Sequence, residues 1–143
     1  MLDRTVTQFS HVKPNDTEFR SDGLRDFFIY RDLGIAEATA GKVLAQRVRA
    51  NNAPEKDTGW HRHEAELRIV LMLNGWAKFM FEDKETLLSA GDCVHQRPGI
   101  AHYLFDYSRT WSTWKSSVRR ISPLSTCQRP PRCPRPNLGR SAS

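Results

Sequence analysis

No stretch of this 143-residue chain approaches the roughly 20 consecutive apolar residues that a membrane-spanning helix needs. The longest run, Ile69–Leu73, has five. The first residues, MLDRTVTQFSHVKPND, lack the apolar core of a secretory signal, so a cytoplasmic protein with no membrane partner is expected. Cysteine is scarce. Cys93, Cys127 and Cys133 are odd in number and irregularly spaced, which argues against a disulfide framework, and the five residues between the last two fit no common zinc motif. Acidic residues are missing altogether from 109–143, where eight basic ones stand: Arg109, Lys115, Arg119, Arg120, Arg129, Arg132, Arg135 and Arg140. The other 108 residues hold 14 basic against 16 acidic side chains, so the net charge of +6 belongs to the tail. A globular part with a slight acidic excess makes nucleic acid an unexpected partner.

The length suits one compact domain. Residues 1–26 are mixed and polar, broken by Pro14, Asn15, Asp16 and Gly23, and read as an N-terminal arm. His11 lies in it and is assigned no role. From Phe27 onward, short runs of β-branched, aromatic and aliphatic residues alternate with turn signals, and no helical period intervenes. Strands are expected at Phe27–Tyr30, within Gly41–Arg49, and at Trp60–His63, Leu67–Leu73, Trp76–Phe81, Thr86–Leu88, Cys93–Gln96 and Ala101–Tyr107. Asn74-Gly75 reads as a two-residue hairpin joining Leu67–Leu73 to Trp76–Phe81. Short, regularly punctuated strands indicate an all-β sandwich or barrel over residues 27–108. Residues 109–143, rich in proline, arginine and serine towards their end, read as a disordered tail.

His61 and His63 lie two apart, so on a strand both imidazoles project from one face. Neutral imidazole is the commonest nitrogen donor for zinc, iron, nickel and copper. Taken alone, an H-x-H pair more often marks an exposed strand face or two core histidines. His102, after the Pro98-Gly99 turn, changes that balance, because a closing sheet can bring it against the pair. Three converging histidines would leave metal positions open for water or substrate. His95 is a further candidate, with a structural role the commoner outcome for such a histidine.

Residues 59–107 resemble the small single-domain cupins, the conserved double-stranded β-helix barrels. The first motif of that family has the form G(x)5HxH(x)3–4E(x)6G. It is matched by His61-Arg-His63 and Gly75, while Gly59 sits closer than the motif asks. The second, G(x)5PxG(x)2H(x)3N, is matched by Gly91, Gly99 and His102 at full spacing, with Arg97 at the proline position and Asp106 at the final asparagine. Fifteen residues, Trp76 to Ala90, separate the two. The resemblance implies a cupin-type jelly-roll barrel and a divalent ion (Fe, Mn, Ni or Zn) on His61, His63 and His102. It also implies a small-molecule ligand and a homodimer.

The glutamate of the first motif falls on Arg68, counting back from Gly75. A guanidinium stays protonated and cannot ligate a metal. Three outcomes stay open: a three-histidine site completed by Glu64, Glu66 or water, a pocket turned over to an anionic ligand, or an Arg68 that points into solvent. Trp60, Phe79, Phe81 and Tyr103 are candidates to line the pocket, and His95 or Tyr103 to act as acid or base.

Past the second motif the family continues into a closing strand, but here the sequence turns basic at Arg109. With free codon choice, CGG-ACA-TGG-AGT-ACC-TGG-AAA encodes residues 109–115. Read from its third base, and continued through the following codons, it gives DMEYLEIVSPADF, which looks like a cupin closing strand and exit loop. A one-base deletion near codon 109 is the hypothesis this supports. Its expected consequence is a barrel lacking its closing C-terminal strand, with an exposed edge. The functions compatible with the chain are a metal-dependent dioxygenase or isomerase, a non-catalytic sensing barrel that grips an anion with Arg68, and, last, nucleic-acid binding through the tail.

Overall fold

The computed structural model describes residues 7–21, 27–52 and 57–119, together with the backbone of 125–126. Ten strands and one helical turn follow in order: β1 (Phe28–Asp32), α1 (Ile35–Ala38), β2 (Val43–Ala50), β3 (His61–Arg62), β4 (Ala65–Asn74), β5 (Trp76–Phe81), β6 (Lys84–Ser89), β7 (Cys93–His95), β8 (His102–Tyr107), β9 (Ser112–Arg119) and β10 (Ser125–Thr126). They form two five-stranded antiparallel sheets, ordered β1-β2-β9-β4-β7 and β10-β3-β8-β5-β6. This is the all-β architecture expected from the strand pattern, and the jelly roll that the family resemblance implies.

Two expectations are corrected. The closing strand is present: Ser112–Arg119 pairs with β2 on one side and β4 on the other, so no open edge is left between them. Its inward side chains Thr113, Lys115 and Ser117 are polar, while Trp114 and Val118 lie on the opposite face, a pattern that resembles tail composition. The sheet therefore runs on past residue 108, and in the tail beyond it the backbone of Ser125–Thr126 pairs with β3; Cys127 and Cys133 lie outside the described residues.

Asn74-Gly75 is a turn, but not a hairpin between paired neighbours. It carries the chain from one sheet to the other, because β4 pairs with β7 and β9 while β5 pairs with β6 and β8. Gly75 has φ 67°, and a Cβ there would strike Ser108 Oγ and approach the Trp111 amide nitrogen to 2.9 Å. Three hydrogen bonds lash the crossing to the 108–112 turn: Trp76 N to Ser108 Oγ, Ser108 N to Trp76 O and Asn74 Nδ2 to Ser112 Oγ, each 3.0 Å. The one-turn helix α1 leaves no mark in the sequence pattern, because four residues are too few to show a period.

The period of two sends alternate side chains inward. Phe28, Val48, Met72, Ala77, Leu88, Tyr107 and Trp111 pack with Phe79 and Leu104 into one core cluster, and Phe28, Phe79, Leu104 and Trp111 of that cluster also border a cavity. Removing a side chain such as Met72 (1% exposed) from water is worth about 1.5–3 kcal/mol. The cavity lies between the two sheets. The N-terminal arm packs beside it through a two-way backbone bridge between Arg20 and Tyr30, both bonds 2.8 Å, and through Thr17 Oγ1, which donates to Asp32 O at 2.7 Å.

Candidate metal centre

The cavity between the sheets has a volume of about 990 Å³. His61 on β3 stands directly opposite His102 on β8 in the strand register, and His63 follows two residues later on the same side. Backbone bonds fix this arrangement at both ends. Thr58 N donates to Leu104 O at 2.9 Å and Gly99 N to His63 O at 3.1 Å, so the second-motif turn holds the end of the first-motif segment. The ring centroids are 4.3 Å apart for His61 and His102, and 5.1 Å for each pairing with His63. One nitrogen from each ring lies within 4.8 Å of the others. All three line the cavity, and His102 is only 2% exposed.

The hydrogen bonds set the tautomers. His61 Nδ1 lies 2.8 Å from Gly59 O and His102 Nδ1 lies 3.0 Å from Ile100 O. A carbonyl oxygen can only accept, so each Nδ1 carries the proton and each Nε2 keeps its lone pair. This is how a backbone carbonyl orients a metal-binding imidazole. Burial pushes the pKa of His102 down to about 3, and the charges of His61, Arg68 and Lys115 press the same way against the pull of the Ile100 bond. Burial, followed by the charges of Arg68, His102, His61 and Lys115, drives His63 well below the ordinary 6.5. At neutral pH both rings are neutral donors with a free lone pair, and the set fits a divalent ion.

Arg68, at the position of the family's glutamate, points inward. It lines the cavity from β4, and its Nε donates to Oε1 of the buried Gln96 at 2.8 Å. Burial lowers its pKa to about 10, which leaves it a cation at neutral pH. The reading of Arg68 as a solvent-facing charge is therefore overturned. Neither Glu64 nor Glu66 lines the cavity, and among the described residues no carboxylate joins the histidine group.

The other candidates divide. Phe79 lines the cavity, and Phe81 stacks on it at 5.4 Å while its ring sits 5.7 Å from that of His102. Trp60 and Tyr103 pack edge-on at 4.5 Å in a separate cluster with Met80 and Phe105, away from the cavity lining. Tyr103 follows His102 on β8, so alternation turns it to the opposite face. His95 is exposed on β7 and also lies outside the lining. The cavity is also lined by residues that the sequence pattern does not single out, among them Tyr30, Gln46, Gln96, Lys115 and Ser117. Of these five, only Gln96 falls within a quoted motif, as the fifth residue after Gly91.

A family model described as "Cupin domain" matches residues 49–108. No curated protein matches the chain. Solved structures do match. The polyketide cyclase RemF from Streptomyces resistomycificus aligns with a TM-score of 0.68 at 13% identity, over 83% of this chain and 85% of that one. KdgF from a Halomonas species gives 0.63 at 16%, over 80% and 97%. An RmlC-like cupin from Shewanella frigidimarina gives 0.62 at 12%, over 82% and 96%. At these identities the likeness is one of fold.

Proposed function

We propose that this chain, a member of the cupin family over residues 49–108, holds a divalent metal ion on His61, His63 and His102 and binds or transforms a small molecule in the adjoining cavity. The observation that carries the reading is the convergence of three imidazole nitrogens within 4.8 Å on the wall of a ligand-sized cavity. When bound, Fe, Mn, Ni or Zn supplies Lewis acidity, and iron or manganese also redox chemistry. The chain's own residues do the rest. Gly59 and Ile100 aim the donor nitrogens. Phe79, Val70 and Leu104 give the cavity an apolar wall that limits water around the donors. Tyr30, Gln46, Gln96 and Lys115 supply polar contacts that orient a ligand. Dioxygenation and isomerisation are the reactions to screen, in a cytoplasmic protein that pairs as a homodimer.

Arg68 favours a second reading, a sensing barrel that grips an anion without turnover. That protein would be stabilised by its ligand in the absence of metal. Metal content measured by mass spectrometry on the purified protein, beside a His61→Ala/His63→Ala double variant, decides between them. Near-stoichiometric metal that disappears in the variant supports the first reading. A wild-type protein that stays metal-free after reconstitution defeats it.

A further inference from the structure

The inner face of the first sheet is basic where it borders the metal centre. Register places Arg68 on β4 opposite Ser117 on β9, and Ser117 opposite Leu44 on β2. In the next inward row Val70 faces Lys115 and Lys115 faces Gln46. Arg68 and Lys115 are thus diagonal neighbours on one face, both lining the cavity that the three histidines line. The acidic lining residues stand towards the rim. Asp32 Oδ1 accepts from the Gly34 amide, Asp16 Oδ2 accepts from the Lys13 amide, and Glu18 is exposed.

A divalent ion on three neutral imidazoles keeps its full double charge, because no protein carboxylate joins the set. Arg68 and Lys115 add two more positive charges to the same space. In a partly dehydrated cavity such an excess is unfavourable unless an anion enters with it. Arg68 is prepared for one. Gln96 holds Nε, and among the described residues no acceptor takes the terminal nitrogens, which is the edge that pairs with both oxygens of a carboxylate.

We propose that metal and a small carboxylate bind this cavity together, the carboxylate lying between the three-histidine centre and Arg68 and supplying the negative charge that a protein glutamate would otherwise give. The inference rests on the metal-binding reading above and names the substrate class for it, a molecule with a free carboxylate end. Thermodynamic linkage makes the coupling reciprocal, so the anion tightens the metal and the metal tightens the anion.

The test is calorimetric titration of zinc into the full-length protein, with and without millimolar propionate at matched ionic strength. Propionate is too weak a chelator to compete for zinc in solution. Propionate is expected to tighten zinc binding by about tenfold or more. Arg68→Gln should still bind zinc but lose that gain, and Arg68→Glu should bind zinc tightly with no response to propionate. Equal zinc affinity with and without propionate in the wild-type protein overturns the inference while leaving the metal reading intact, and this arm needs no variant. A propionate gain that survives in Arg68→Gln also overturns it. Absence of zinc binding under every condition defeats the metal reading itself, and the inference with it.

Discussion

Arg68 and Gln96 are joined across the floor of the cavity by a 2.8 Å hydrogen bond, from a guanidinium to a side chain only 5% exposed. The link fixes the cation at the sequence position that the resemblance assigns to a glutamate. Gln96→Leu should leave Arg68 without its acceptor and cost about 1.5–3 kcal/mol of stability, the range for hydrogen bonds to charged groups. Chemical denaturation of the metal-free protein reads it. A loss below about 0.5 kcal/mol would mean that the guanidinium finds another partner.

The buried histidines make the metal-free protein acid-sensitive. His63 and His102 are held below 6.5, so the unfolded chain binds more protons than the folded one wherever pH falls below that value. Stability is full above about pH 6.5 and falls as pH drops towards 3, the folded value of His102. Thermal melts from about pH 7.5 to about pH 4 should show the decline, and His102→Gln should make it shallower while His63 keeps its share. A parallel decline in that variant would assign the acid response elsewhere.

Gly75→Ala should destabilise the barrel by about 2 kcal/mol or more, because the substitution meets a positive φ, the Ser108 hydroxyl and the Trp111 backbone nitrogen. Denaturant midpoints give the figure. A neutral result would show that the 108–112 turn yields without loss.

A chain ending after Tyr107 loses β9 from between β2 and β4 and should fail to melt cooperatively. Circular dichroism on heating checks this. A sharp transition in the truncated chain would mean that the barrel closes without that strand.

Sequencing the coding DNA is expected to return the codons that open the DMEYLEIVSPADF reading over residues 109–121. Any other codon choice removes the one-base-deletion hypothesis. Restoring that frame would replace Lys115 and leave Arg68 in place.

The histidine centre was legible because two simple rules suffice for it. Alternation puts His61 and His63 on one side, and the spacing of Gly91, Gly99 and His102 marks the turn that brings the third ring home. Counting back from Gly75 found Arg68, but only the folded sheet shows that it points inward to Gln96. The same alternation, carried one residue past His102, would have placed Tyr103 on the far side. Lys115 escaped notice for a physical reason. A strand whose inward side chains line a polar cavity carries its apolar residues outward, so Ser112–Arg119 lacks the pattern that announces a core strand. Asn74-Gly75 marks a reversal of direction in the chain. It says nothing about which sheet the next strand joins.

Residues 15–18 and Arg20 border the cavity without belonging to either sheet, and Thr17 is moored to Asp32 O and takes a 3.2 Å hydrogen bond from Arg31 Nε. The mouth of the site is therefore made from a length of chain that the barrel does not need for closure. Exchanging those few residues can alter which molecules are admitted while the histidines, the guanidinium and the aromatic core of the barrel stay as they are. Selectivity and scaffold are written in separate passages of one short sequence, and each can drift without erasing the other.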